Sequence, residues 1–473
     1  MIKDLKPYIK YKGTKAPWLK QIPEHWEVRK LKTICSKSAV YGANMSADFY
    51  TETGVRFLRT TDITDEGKLR PGGVFLPEEL VREYILSDGD ILISRSGTIG
   101  RSLRYRASNH GPCAYAGYLV RFVPAPILSS DYLYFFTKSY SFADFIKVMA
   151  ISATIENVNG DKYANMQLPL PSLPEQAAIV KFLHFADQRI HQYIQTKQKL
   201  IKLLEEQKQN ILFHTITHGL DPKVLLKKSG IMWADEVPKH WDIVPNRSLL
   251  HLKKTIIGED SKKHRLLSLS KQGVIERDLE NMEGKIPANF NTYQEVVPHD
   301  LIFCLFDMDE TPRTVGLSEK SGMITGAYTV FQCSNYEIAK YIYYFYLAMD
   351  NGKRLKPLYT GLRKVIQKSV FLGAKFPLPP ANERIEILAH IEKEFSKINL
   401  AISRATDEIR LLKEYRSVLI SNVVTGNLDV REAVAQLPEV ETSISKIDES
   451  DNVLYGEDVE EAEESPSVEE IEA

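Results

Sequence analysis

LPLPSLPEQAAIVKFL, residues 168–183, returns 208 positions later as FPLPPANERIEILAHI, residues 376–391. Pro169, Leu170, Pro171, Glu175 and Ile179 match Pro377, Leu378, Pro379, Glu383 and Ile387, and the register holds without a gap to Leu220-Asp221 and Leu428-Asp429. A second pair of segments repeats at an offset of 215: WLKQIPEHWEV (18–28) and WADEVPKHWDI (233–243), which hold all four tryptophans. The chain is therefore a doubled unit, and a repeat of this size fixes the architecture before any single motif is read. Between the matched ends the halves differ, although SDGDILISRSGTIG (87–100) and PHDLIFCLFDMDETPRTVG (298–316) share an acidic turn running into an apolar strand. Constant ends around different middles describe one scaffold carrying two different readers.

Each unit reads as an α+β lobe followed by a long helix. Apolar strand-like runs such as Asp90–Ser94 and Leu301–Phe306 sit among Gly, Asp and Thr turns, followed by aromatic helical segments at 131–149 and 336–349. Prolines 169, 171 and 174, and 377, 379 and 380, close the lobes, because proline is excluded from a helix interior but tolerated in its first turn. Helices are then expected at about 174–217 and 381–424. In the second, steps of four and three give Ile391, Phe395, Ile398, Ile402, Ala405, Ile409, Leu412, Arg416, Leu419 and Val423. The first gives Leu183, Asp187, Ile190, Ile194, Lys197, Ile201, Leu204, Lys208, Ile211 and Thr215. A 3.5-residue period held over five heptads predicts a coiled coil, with the two helices pairing. A helix packed only on its own lobe would show a wider face at a 3.6 period.

The formal charge is -1, from 61 Lys+Arg and 62 Asp+Glu, which at face value speaks against a nucleic-acid partner. The average hides two opposite signals. Residues 438–473 carry fourteen acids against Lys446 alone, so residues 1–437 carry a net +12. That excess lies in the lobes, +6 over 1–173 and +5 over 219–380. Such modest basicity suits attraction to a phosphate backbone, with base contacts adding discrimination. The acidic tail is expected to be a disordered, solvated extension, with competition for a DNA face as the second reading. No apolar run reaches the ~20 residues of a membrane span. The opening MIKDLKPYIKYKGTK has the pattern of neither a signal nor a transit peptide. Cys35, Cys113, Cys304 and Cys333 are widely spaced, which favours a reducing cytosol with neither a zinc site nor a disulfide framework.

Catalytic signatures are missing. There is no GxxxxGK[ST], HExxH, GxSxG or strand-linked GxGxxG, and Pro379-Pro380 is followed by Ala381 where an amino-methyltransferase would carry an aromatic residue. Asp278 with Glu283 and Lys285 has the residue types of a Mg²⁺ nuclease, but acid-x-Lys triplets arise by chance in any charged chain. His25 and His240 recur beside Trp26 and Trp241, and read as structural partners of a turn. The loop SDGDILISRSGTIGR (87–101) lacks the lysine of a nucleotide site. It suits a DNA-facing role better: Arg95, Ser96, Thr98 and Arg101 can bond phosphates while Gly97 and Gly100 let the backbone approach. For the glycines, a tight structural turn remains an equal alternative.

With these motifs in hand, the chain resembles the specificity subunits of type I restriction-modification systems. The resemblance runs to about residue 432 and rests on the doubled plan, the IPEHWEV/VPKHWDI openings, GDILISRSGTIGR, the PLPSLPEQAAIV/PLPPANERIEIL helix starts and VVTGNLDVRE (423–432). Asn382-Glu383-Arg384 departs from Glu175-Gln176, the second lobe lacks the full glycine loop, and the acidic tail is foreign to the pattern. The resemblance implies a non-catalytic subunit of a complex that is both a site-specific deoxyribonuclease and a DNA adenine methyltransferase. Two target-recognition lobes are joined by two long antiparallel coiled-coil helices in a pseudo-twofold repeat. The segments would be 1–173, first recognition domain; 174–218, first spacer helix; 219–380, second recognition domain; 381–432, second spacer helix and closing turn; and 433–473, the tail. Expected partners are double-stranded DNA, two methyltransferase subunits and restriction/translocase subunits. S-adenosylmethionine, ATP and Mg²⁺ would be bound by those partners and none by this chain, in a prokaryotic cytosol.

Because Arg and Lys donate to guanine and Asn or Gln read adenine, the variable middles should hold the readers. Candidates in the first lobe are Arg59, Thr60, Thr61, Arg95, Ser96, Thr98, Arg101 and Lys162; in the second they are Lys253, Lys254, Arg313, Thr314, Arg354, Lys356, Arg363 and Lys364. The spacer seam is expected at Ile190, Ile194, Ile201, Leu204, Ile211, Ile391, Phe395, Ile398, Ile402, Ile409, Leu412 and Leu419. Two other readings stay open: a coiled-coil scaffold with no DNA role, and a self-contained DNA-modifying enzyme.

Overall fold

The computed structural model describes residues 5–151, 157–277, 290, 292–308, 310–311 and 313–438. They fall into two compact units, one of the described residues up to Lys197 together with those from Asp407 to 438, the other of Gln198–Thr406. The sequence boundaries follow the helix ends, whereas packing divides each long helix near its middle. Each lobe buries the start of the helix that follows it and the end of the other one. Ile179, Phe182 and Leu183 of the first helix and Leu419, Ile420 and Val423 of the second share a core with Trp26, Tyr132 and Phe136. In the second unit Leu212 and Ile216 of the first helix, with Ile387 and Ile391 of the second, join Trp241, Tyr341 and Phe345.

The matched ends of each repeat are matched because they touch. In the first unit Glu27–Lys30 pairs antiparallel with Gln167–Leu170, placing Val28 opposite Pro169. In the second Asp242–Pro245 pairs with Lys375–Leu378, placing Ile243 opposite Pro377. Proline is tolerated here because each sheet has only two strands, so its missing N–H breaks no inner ladder. Above this hinge each unit carries a four-stranded antiparallel sheet. In the first unit its strands are β1 (Cys35–Tyr41), β2 (Ile91–Ser94), β3 (Ser102–Arg104) and β4 (Leu119–Pro124), in the order β1-β4-β2-β3. In the second, β5 (His251–Lys253), β6 (Leu301–Phe303), β7 (Val315–Leu317) and β8 (Thr329–Gln332) follow the same order, β5-β8-β6-β7. The shared acidic turn opens β2 and β6: Asp90 accepts from the Ser87 N–H at 2.7 Å, Asp300 from that of Val297 at 2.9 Å. The remaining strands differ. Val55–Leu58 lies between Val74–Leu76 and a parallel Cys113–Tyr115, while the second unit has two antiparallel two-stranded pairs, Leu267–Ser270 with Gly273–Glu276 and Gln294–Val296 with Gly322–Ile324.

The long helices run Leu173–His218 and Ala381–Val424, close to the expected bounds. All twenty positions of the two heptad stripes are buried or half-buried, while Leu200, Leu203, Leu400 and Leu411 off the stripe are exposed. The polar stripe positions find partners on the opposite helix. Within the first unit Arg416 pairs with Asp187, and Lys197 with Glu408 at 2.6 Å. Within the second, Lys208 lies 4.7 Å from the Phe395 ring centre and donates to Asn399 at 2.8 Å. In the first unit rising numbers on one helix meet falling numbers on the other, so the halves there run antiparallel. Phe395 occupies the repeat position of Asp187 and Lys208 that of Arg416, so one seam position is an ion pair in one unit and a cation–π contact in the other.

The histidine–tryptophan pairs anchor the helix starts. Trp26 Nε1 donates to Glu175 at 3.3 Å and His25 Nε2 lies 2.8 Å from the same oxygen; Trp241 and His240 hold Glu383 at 3.0 and 2.7 Å. The Arg384 departure keeps the function of its counterpart: Gln176 donates to the carbonyl of Pro171 and Arg384 to that of Pro379. The helix ends are held too, with Tyr132 Oη 3.0 Å from the carbonyl oxygen of Val424 and Tyr341 Oη 2.9 Å from that of Ile216. Gly426 has φ +76°, and a Cβ there would lie 2.3 Å from Pro23, so this turn requires glycine. Just beyond, the Asp429 N–H donates to the Lys6 carbonyl at 2.8 Å, closing the first unit. The chain then forms a short helix, Arg431–Ala435, with Ala433 and Val434 against the core. Residues 433–435, placed in the tail by the sequence boundary, are thus folded, because their apolar side chains find a surface. Residues 439–473, which hold the acidic run, lie outside the described residues.

Candidate nucleic-acid interface

The glycine-rich loop joins β2 to β3 as a tight turn. The Ser94 hydroxyl donates to the Thr98 carbonyl at 2.5 Å and the Gly100 N–H to that of Ser94 at 3.0 Å. Gly97 (φ +71°) and Gly100 (φ +85°) are both left-handed, but only Gly97 faces open space; Gly100 rests against Ile146 and Phe142. The structural and the ligand-facing readings of the glycines therefore divide between the two residues. At the near end of the loop, Arg95 is held on three sides: its Nε donates to the Gly117 carbonyl at 3.1 Å, its N–H to that of Tyr118 at 3.0 Å, and its own carbonyl accepts from Val158 N–H at 3.1 Å. Its guanidinium lies 5.1 Å from the Tyr41 ring centre and 5.8 Å from that of Tyr118. Tyr41 is fixed in turn, accepting from the Gly160 N–H at 2.8 Å. Lys162 stands in the helix that Gly160 begins, its ammonium donating to the Met149 carbonyl at 2.8 Å. Arg95, Ser96, Thr98 and the Lys162 helix are thus gathered at one end of the sheet.

The other first-lobe candidates differ in what their side chains already do. Arg101 pairs with Asp65 at 2.5 Å. Arg59 makes a two-pronged pair with Asp62 at 2.9 and 3.1 Å, closing the turn that carries Thr60 and Thr61. Thr61 is exposed, whereas the Thr60 hydroxyl is buried and without a bonding partner.

Two second-lobe candidates are not at the surface. Lys253 lies along β5 with its side chain 8% exposed, bonded to Asp300 at 2.9 Å and Glu295 at 3.2 Å. It neutralises the acidic turn, as Arg121 does for Asp90 at 2.6 Å in the first unit. Thr314 is 2% exposed, and its N–H donates to Asp350. Both readings fail because a cation or hydroxyl in sequence carries no sign of a carboxylate waiting elsewhere in the fold. Lys254, Lys356 and Lys364 are exposed; Arg354 is exposed and stacks 4.0 Å from the Phe213 ring centre. Arg363 pairs with Asp307 at 2.8 Å, and Arg313 donates to the Lys271 carbonyl. Tyr41 and Tyr118 are absent from the sequence-based set, since nothing marks a lone tyrosine as partner to an arginine 54 or 23 positions away.

Among the described residues no group of three or more His, Cys, Asp or Glu could hold a metal ion, and no helix is long and apolar enough to cross a membrane. The Asp278, Glu283 and Lys285 triplet lies outside the described residues. The four cysteines are free, and burial pushes the Cys113 and Cys304 thiols up to about 11.

Residues 23–203 match the family described as type I restriction modification DNA specificity domain. The StySPI specificity subunit of a type I restriction enzyme from Salmonella potsdam is 24% identical over 223 residues, 45% of this chain and 47% of that one. The chain thus spans about half the length of that relative. A Methanocaldococcus jannaschii protein named for the specificity subunit of a type I restriction enzyme, MjaX, is 23% identical over 445 residues, 90% of this chain and 98% of that one. A solved chain, described as the structural basis of complex assembly and conformational transition of the type I R-M system, superposes with a TM-score of 0.61 at 12% identity. That match covers 86% of this chain and 99% of the other, and the two share a fold.

Proposed function

We propose that this chain, which belongs with the type I restriction-modification specificity subunits, reads a DNA target in two parts, one with each lobe, and is itself non-catalytic. The observation that carries the reading is the repeated frame around unlike middles. The hinge strands, the tryptophan–glutamate anchor and the sheet order recur in both units, while the strands and loops above them do not. Selection for a common frame with divergent tips suits two readers of different sequences, and neither a scaffold nor a single active site asks for it. In this proposal the paired helices form an antiparallel coiled-coil spacer and the docking surface for two methyltransferase subunits. Restriction subunits join the assembly in the cytosol of a prokaryote. S-adenosylmethionine, ATP and Mg²⁺ belong to those partners.

The test is co-expression with a cognate methyltransferase followed by sequencing of the methylated genome. A single motif of two specified parts separated by an unspecified gap is the expected result. Methylation without sequence preference would leave the scaffold reading, and cleavage or methylation by the purified chain alone would leave the enzyme reading.

A further inference from the structure

Several arginines of the first unit are already neutralised. Arg29 pairs with Glu27, Arg59 with Asp62, Arg101 with Asp65, Arg104 and Arg106 with Asp131, and Arg121 with Asp90. Arg95 has no carboxylate in pairing distance among the described residues, yet it is not a loose surface cation. Its backbone is hydrogen-bonded on both sides, its Nε is committed to the Gly117 carbonyl, and two tyrosine rings flank its guanidinium. Those rings are 41% and 59% exposed, so the cluster stands at the surface. The two terminal amino groups make no hydrogen bond to the described protein. Gly97, two residues on, faces open space.

This arrangement is costly for a phosphate contact, which a flexible cation makes as well. Holding a guanidinium by its Nε and stiffening it against two aromatic rings fixes the direction of its two terminal amino groups. A fork of two parallel donors matches the O6 and N7 acceptors that guanine alone presents in the major groove. We propose that Arg95, oriented by Tyr41, Gly117 and Tyr118, selects a guanine in the half-site read by the first lobe. The inference rests on the two-part DNA reading above, and it turns Arg95 from a backbone contact into a determinant of sequence. Tyr41 and Tyr118 are positioning residues.

The full chain with its methyltransferase, carrying Arg95→Lys, Arg95→Ala or Tyr118→Ala, provides the test, read as the methylated motif. The wild type should specify guanine at a position of the first half-site. Arg95→Lys and Arg95→Ala should both relax that one position, roughly ten- to hundredfold in preference, with the second half-site unchanged; Tyr118→Ala should relax it less. Lysine keeps the charge and loses the fork, so a phosphate contact predicts an unaltered motif with Arg95→Lys, and that result overturns the proposal. If Arg95→Ala abolishes methylation, binding of the wild-type and Arg95→Lys complexes to duplexes with 7-deazaguanine, which lacks N7, decides. A loss at one first-half guanine seen for wild type and absent for Arg95→Lys supports the proposal; equal losses for both overturn it. A wild-type complex that methylates without any motif sinks the two-part reading instead.

Discussion

Glu175 shows how much one side chain can carry. Burial pushes its carboxyl up, but hydrogen bonds from His25, Trp26 and Ser172 outweigh that and hold it below the ordinary 4.5. A carboxylate depressed in the fold contributes stability that is complete above its unfolded value and lost as pH falls through the folded one. Glu175→Gln should therefore lower the unfolding free energy at pH 7 by about 1–3 kcal/mol, and the gap to wild type should narrow below pH 4.5. Urea denaturation at pH 7 and pH 4 measures both; a gap that widens in acid would contradict the assignment. The repeat made His25 and Trp26 legible as structural residues, and the glutamate that they hold was legible only as a separate repeat 149 residues away. Lys253 was misread for a related reason, since its partner Asp300 lies 47 positions on. Sequence reports which side chains exist, while neutralisation depends on which of them the fold brings together.

At the scale of elements, periodicity told most of the story. Both long helices and their covered faces were readable because a 3.5-residue stripe depends only on local geometry. The breaks in the stripe were less readable: Asp187, Lys197, Lys208 and Arg416 look like defects until the opposite helix is present. Asp187 and Arg416 are about a third exposed or less, at 34% and 26%. Asp187→Leu alone should cost about 1–2 kcal/mol by stranding Arg416, and adding Arg416→Leu should recover most of it. A double-mutant cycle by chemical denaturation checks this, and additive losses would show that the pair does not couple. The tyrosines at the helix ends make a parallel case. Tyr132→Phe and Tyr341→Phe each remove one bond to a helix-end carbonyl and should each cost about 1 kcal/mol, with melting curves as the readout. The strands of the variable middles were not legible, because runs of three or four residues carry too few periods to register.

For the whole molecule, net charge misleads and its distribution informs. Removing residues 438–473 changes the net charge from -1 to +12. If the tail is a solvated extension, DNA affinity measured at low salt should stay as it is; a rise on deletion would make the tail a competitor for the DNA face. The contact between Asp429 and Lys6 has a different bearing. At the 215 offset Lys6 corresponds to Asp221, and at the 208 offset Asp429 corresponds to Asp221 as well. One residue of the second unit, where the backbone runs straight through, is represented in the first by two residues joined through a hydrogen bond. The order of segments is therefore cyclic, one junction being covalent and the other closed by a hydrogen bond. A half-length ancestor pairing with its own copy would make every one of these contacts twice and, on the proposed function, read an inverted repeat. On that reading, fusion of two such copies would free the middles to diverge, and a palindrome would become a target with two unrelated halves.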